Sequence, residues 1–293
     1  MKRYLSAAFE AVTDFFSDRG LVWAAALAFY AALSFAPLVS LTMVVAGRLG
    51  PGAQQAAIGQ FEQLMGSAAG DTLREVVESA DQNPASGMLA GIISIAVLLF
   101  SATGVFGQLQ AALNAIWEVK PKKVDGIFRK AWTLIRTRLL SIGMVASLLF
   151  LILLSLAVSS VLQGVFERFG LALLLSQAIT FLVYTALFAV MYRLLPDVKL
   201  GLTDVLLSAA VTAVLFSIGK YGIGLYLGKA AVTSSYGAAG SLMALLLWLY
   251  YASAVVLFGA ELCQSLFNAR GRVIEPSRHA EKVDGENANA DLT

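Results

Sequence analysis

The feature that most constrains this chain is a stretch without a single charge, from Ala230 to Ala260, closed by Lys229 on one side and Glu261 on the other. Its centre, Leu242 to Leu257, is an apolar run carrying Trp248, Tyr250 and Tyr251. A hydrocarbon layer about 30 Å thick needs about 20 apolar residues of helix, and this stretch supplies them. It predicts a transmembrane helix. Ser234-Ser235-Tyr236-Gly237 forms a short polar approach, and Gly259-Ala260-Glu261 puts one carboxylate where the helix is about to leave the membrane.

Composition extends that reading to the whole chain. Of 293 residues, 58% are hydrophobic and 14% charged, outside the range of ordinary soluble domains. The net charge of +2 gives no global field that would attract nucleic acid. Cys263 is the only cysteine, which excludes an intramolecular disulfide and any cysteine-rich metal site. Met1-Lys2-Arg3 looks like the start of a secretory signal. Acidic Glu10, Asp14 and Asp18 interrupt it, and the apolar run that follows is too long for a cleaved signal core, so an uncleaved first span is expected.

Along the chain, Leu5, Phe9, Val12 and Phe16 recur at helical spacing opposite Ser6, Glu10, Thr13 and Ser17, which predicts an amphipathic surface helix over residues 1–21. The first span, 22–46, carries Ala24, Ala28, Ala31 and Ala32, small residues that let another helix approach closely. Pro37 is expected to kink it. Tyr30 and Ser34 lie one turn apart beside the kink, either lining a cavity or bonding a neighbouring helix. Residues 47–87 predict an extracytoplasmic helical insert, mostly acidic, and 88–110 a second span whose most polar patch includes Ser101, Thr103, Gly104, Gly107 and Gln108. Asn114, Trp117 and Glu118 mark its exit.

Lys120, Lys122, Lys123, Arg129, Lys130, Arg136 and Arg138, opposed by Asp125 alone, then fix the orientation, because short basic loops stay in the cytoplasm. Spans at 139–166 and 171–195 are joined by the tight turn at Glu167-Arg168-Phe169-Gly170 and predict an antiparallel hairpin, with Gln177, Thr180 and Tyr184 forming a polar stripe. Thr203-Asp204 is positioned to cap a span over 203–227, glycine-rich around Lys220 near its outer end. The sixth span is 238–262. The membrane domain as a whole covers 22–267, and the polar tail, 268–293, is expected to be disordered in the cytoplasm. The expected fold is therefore all-α and polytopic, with six transmembrane helices and both termini cytoplasmic. No internal repeat supports an inverted-repeat transporter.

Several runs resemble the YihY/BrkB family of bacterial inner-membrane proteins. They are Ala28-Phe29-Tyr30-Ala31-Ala32-Leu33-Ser34-Phe35-Ala36-Pro37-Leu38, Ala112-Leu113-Asn114-Ala115-Ile116-Trp117 and Tyr192-Arg193-Leu194-Leu195-Pro196-Asp197. Ser234-Ser235-Tyr236-Gly237-Ala238, Leu247-Trp248-Leu249-Tyr250 and Gly259-Ala260-Glu261-Leu262 complete the set. The resemblance implies a six-span protein of the bacterial inner membrane. Members carry the names ribonuclease BN and serum-resistance or virulence factor, and export of small solutes or envelope maintenance are the roles suggested for them.

The residues do not support a ribonuclease. Metal-assisted phosphodiester cleavage needs clustered carboxylates or histidines, whereas the only histidine, His279, falls in the tail and the acidic residues are spread over loops. Neither a catalytic set nor a cofactor or metal is expected, and no GxxxxGK[ST] phosphate cradle occurs. The leading expectation is a passive or ion-coupled exporter of a small polar or amphipathic solute, with Tyr30, Ser34, Gln108, Gln177, Lys220, Tyr236 and Glu261 along its path. The alternative is a non-transporting envelope protein that organises lipids or partner proteins. Glu261 is either a proton or cation site or a structural ion pair with Arg193 or Arg138. Lys220 either attracts anions at a cavity mouth or snorkels outward. Membrane lipids are the expected partners, nucleic acid is not, and oligomerisation is left open.

Overall fold

The computed structural model describes residues 2–50, 52–55, 57–59, 104–122, 172–229, 238–277 and 279–283. The part of the expected extracytoplasmic insert beyond residue 59, the expected third span, nearly all of the basic loop including Arg138, and Tyr236 lie outside the described residues.

Six helices of more than ten residues order the described chain, α1 (Lys2–Ser17), α2 (Gly20–Leu49), α3 (residues 104–116), α4 (Ala172–Leu194), α5 (Leu202–Lys229) and α6 (Ala238–Ala269), and residues 52–55 and 57–59 are helical as well. Two short strands, β1 (Val119–Pro121) and β2 (Ala280–Lys282), pair antiparallel with Lys120 opposite Glu281. At 1.5 Å per residue, the 28 residues of α5 and the 32 of α6 extend about 42 and 48 Å, longer than the hydrocarbon layer. Both contain windows apolar enough to cross a membrane, Leu202–Gly219 and Leu245–Ala269, and shorter apolar helices occupy Gly20–Ser34 and Thr180–Leu194. Large apolar side chains point outward from them, among them Val22, Phe29, Leu182, Val190, Val214 and Ile218. Such a surface suits lipid and not water.

α6 is the hub, packed against α1, α2 and α5, while α4 packs on α5. The main core joins Ala24 and Leu27 of α2, Leu113 and Ile116 of α3, Phe188 and Tyr192 of α4, Val205 and Ala209 of α5, and Leu257, Ala260 and Phe267 of α6. The small side chains expected to permit close approach do so at Ala24 and Ala28, both buried. α2 runs as continuous helix through position 37.

α1 uses a face other than the apolar one its sequence suggests. Ala7 and Ala11 meet Leu262 and Leu266, and Phe15 meets Phe258 edge-on with ring centroids 6.0 Å apart. Phe9, Val12 and Phe16 stay exposed. The helix therefore buries Ala7, Ala11 and Phe15 against α6 and keeps Phe9, Val12 and Phe16 for the surroundings. Arg19, in the left-handed region at φ 57°, turns the chain into α2. A side chain at Gly20 would run into the Phe15 ring, so only glycine allows this close return.

The tail corrects the sequence expectation. α6 continues to Ala269, past residue 262, because Leu262, Cys263, Leu266 and Phe267 keep supplying buried contacts. Beyond it the chain folds back on the same end of the bundle. Ser277 donates its backbone N–H to Asp197 (2.8 Å), Lys199 donates to Glu275 (3.0 Å), Lys122 donates to His279 (2.9 Å) and Val283 donates to Glu118 (2.8 Å). Residues 268–277 and 279–283 are thus part of the fold, and the remainder of the tail lies outside the described residues. A strand of three residues held by backbone bonds leaves no hydrophobic period, which is why the polar sequence reads as disorder.

Candidate functional site

The polar residues of the described bundle fall into four groups on neighbouring helices, three of them fully bonded or nearly so.

The first holds the α4–α5 turn to α3. The Asp197 carboxylate accepts from Asn114 Nδ2 (2.9 Å) and Gln110 Nε2 (3.3 Å), and the Asp197 backbone N–H donates to Asn114 Oδ1 (2.8 Å). Asn114 uses both ends of its amide on one residue, so it fixes the turn against rotation as well as separation.

The second starts α5. Gly201 is the N-cap and Asp204 the third helical residue, whose carboxylate reaches back to the Gly201 N–H at 3.0 Å, the reciprocal half of a capping box. The same carboxylate, only 1% exposed, receives Arg272 at 2.7 Å and Arg270 at 3.3 Å from the chain after α6. Thr203, expected to share in the cap, stays exposed.

The third crosses the bundle. The Tyr192 hydroxyl lies 2.8 Å from the Val256 carbonyl and 3.0 Å from Thr212 Oγ1, which itself lies 2.8 Å from the Ser208 carbonyl. Two hydroxyl protons serve three contacts, so at any moment one contact lacks a proton. Gly259 makes the crossing possible, since a Cβ there would collide with both Thr212 Oγ1 and the Tyr192 hydroxyl.

The fourth is Glu261. Its side chain is 0% exposed, and neither carboxylate oxygen has a hydrogen-bond partner among the described residues. One turn further along α6, the buried Ser265 hydroxyl is also without a partner among them. The charges that reach Glu261 are those of Asp18 and Asp14, at the end of α1. Asp18 is in turn acted on by Asp14 and by Glu118, which follows α3 in the left-handed region at φ 50°. Partial burial, then Asp14, then Glu118 raise the Asp18 carboxyl above its ordinary value of 3.8. Among the described residues, no three His, Cys, Asp or Glu side chains gather closely enough to hold a metal ion.

The path residues expected from sequence do not meet in one place among the described residues. Tyr30 lies against Gly104 at the start of α3, so span-one and span-two residues do touch there. Ser34 spends its hydroxyl on the Tyr30 carbonyl of its own helix, at 3.1 Å. Gln108 is half-buried on α3, and Gln177 is exposed on α4. Lys220 belongs to α5, but its side chain is outside the described set, as are the Pro37 side chain and all of Tyr236. Of the two ion pairs offered as an alternative for Glu261, the one with Arg193 is not formed among the described residues, where Arg193 is exposed, and Arg138 lies outside them. Sequence reading missed the partners of Asp204 and Asp197. Asn114 and Asp197 did stand inside recognisable motifs, and Arg270 and Arg272 stood out as charges just past an apolar helix.

Comparison with known proteins fits this picture of a membrane bundle. The family described as Virulence factor BrkB matches residues 11–284. A UPF0761 membrane protein of Photobacterium profundum is 28% identical over 259 residues, covering 85% of this chain and 77% of the relative. Its counterpart in Aeromonas salmonicida is 29% identical over 256 residues, covering 83% of each. A third, from Vibrio parahaemolyticus, is 28% identical over 260 residues, with coverage of 85% and 78%. No solved structure matches. The match runs over nearly the whole chain: it belongs to the BrkB family of membrane proteins.

Proposed function

We propose that this chain is a multi-pass protein of the bacterial cytoplasmic membrane, six spans with both termini inside, that exports a small polar or amphipathic solute passively or coupled to an ion. The observation that carries this reading is Glu261, a carboxylate within an apolar helix, fully buried and without a hydrogen bond among the described residues. A purely structural carboxylate at such depth is held by a partner, as Asp204 is, because an unpaired buried charge is costly. An ionisable group left unsatisfied inside a membrane bundle marks an ion or solute pathway by default. Tyr30, Gln108 and Gln177 then supply polar positions on other helices of the bundle, surrounded by membrane lipid.

The reading is tested by comparing metabolites inside and outside cells that lack the protein, express it, or express Glu261→Gln at matched membrane levels. A solute whose export follows the wild type and fails with the substitution is the expected result and names the substrate class. Absence of any protein-dependent solute across osmotic conditions rejects transport and favours a protein that organises lipids or partners. In that case the lysines of the basic loop, and not Glu261, control the phenotype.

A further inference from the structure

Glu261 does not stand alone in its acidic surroundings. Asp14 and Asp18 come from α1, which closes over α6 by the contacts of Ala7, Ala11 and Phe15, and Glu118 follows α3 on the same side. The other elements against α6 bring no compensating base to Glu261 among the described residues. α2 carries no Lys or Arg between its N-cap Arg19 and Arg48. Asp204 of α5 is occupied by Arg270 and Arg272. Among the described residues these carboxylates do not form a group of three that could chelate a metal.

We propose that Glu261 is a proton-binding site loaded from the cytoplasmic side through Asp18 and Asp14, with α1 as its cover. The inference rests on the reading of Glu261 as a working carboxylate and names the coupling ion of that site. Physical grounds for it are independent of any transported solute. A buried carboxyl group without partners is stable only in its uncharged form, and nearby anions favour that form further. Asp18 keeps an exposed edge while its carboxyl is raised by partial burial, Asp14 and Glu118, so it can exchange protons with water, and its charge reaches the buried group. The cover rests on α6 through Ala7, Ala11 and Phe15, and the turn that joins it to α2 contains the left-handed Arg19. Backbone held in that region stores strain that an opening motion can release.

The test uses the full chain in native membranes and dicyclohexylcarbodiimide, an apolar reagent that adds to a protonated carboxyl group to give a stable N-acylurea. Mass spectrometry of the digested protein then reads which carboxyl is modified. We expect an adduct on Glu261 at neutral pH, missing in Glu261→Gln, with labelling falling about ten-fold per pH unit above the midpoint. Asp18→Asn, a change at the exposed rim that leaves Glu261 in place, is expected to lower labelling about two- to five-fold, because it removes one neighbouring anion. Labelling abolished by sodium or potassium at fixed pH would overturn the proposal in favour of a metal cation. No label in wild type but a label in Arg138→Gln would overturn it in favour of a structural ion pair. Because the readout is protonation, a labelled Glu261 in a protein that moves no solute would refute export and leave the proton site standing.

Discussion

Two carboxylates on adjoining helices are buried to the same degree and treated in opposite ways. Asp204 at the start of α5 is enclosed by a backbone N–H and two guanidinium groups. Glu261 on α6 has no partner among the described residues. Burial alone therefore says little about function. Asp204 is explained completely by what it holds together: the first turn of α5, the end of α6 and the chain that returns after it. Nothing among the described contacts explains Glu261 in that way.

The comparison is sharpest in stability measurements on the detergent-solubilised protein. Asp204→Ala removes a cap and strands two arginines; since these reach water, the loss is about 2 to 3 kcal/mol, below that for a fully buried pair. Glu261→Gln is expected to change stability by less than about 1 kcal/mol. Equal losses at the two positions, read as equal drops in thermal midpoint, would show that Glu261 has a structural partner after all and would dissolve the distinction.

A middle-sized effect tests the crossing that sets α6 in register. Gly259→Ala places a methyl group against Thr212 and Tyr192 and is expected to cost about 1 to 2 kcal/mol by overpacking. Tyr192→Phe removes one of the two colliding oxygens, so in the double variant the losses fall short of their sum. Strict additivity in that cycle would mean that α6 simply shifts aside.

The smallest expected effect concerns Asp18. Its carboxyl is raised in the folded protein, so from its ordinary value of 3.8 up to the raised one the folded state binds more protons than the unfolded state. Stability is then lost as pH rises through that window. Asp18→Asn should remove this slope and leave the protein slightly more stable at neutral pH, by well under 1 kcal/mol (~0.5) because Asp18 is exposed and screened. A steeper slope in the variant would place the titrating group elsewhere.

The helices were largely legible in the sequence. Apolar runs at 171–195, 203–227 and 238–262 correspond to α4, α5 and α6 because hydropathy and helix length are local properties, written in consecutive residues. The turns were legible in part: Asp204 announced itself near a helix start, but Gly201 proved to be the N-cap. For the candidate site the sequence singled out Glu261 by charge in an apolar context and offered Arg193 or Arg138 as an alternative partner; Arg193 is exposed, and Arg138 lies outside the described residues.

What the sequence alone determined is that the chain is helical, apolar enough for a membrane, and a bearer of the BrkB motifs. These follow from composition, periodicity and short local patterns. Tertiary structure decided which polar groups are satisfied. Asn114 and Asp197 are 83 residues apart and Asp204 and Arg272 are 68 apart, so no local signal joins them. The same holds for the tail, whose strand exists only because β1 presents free backbone groups beside it. Hydrogen bonds are satisfied in space and not along the chain. That is why one buried carboxylate proved to be a clasp and the other was left without a described partner.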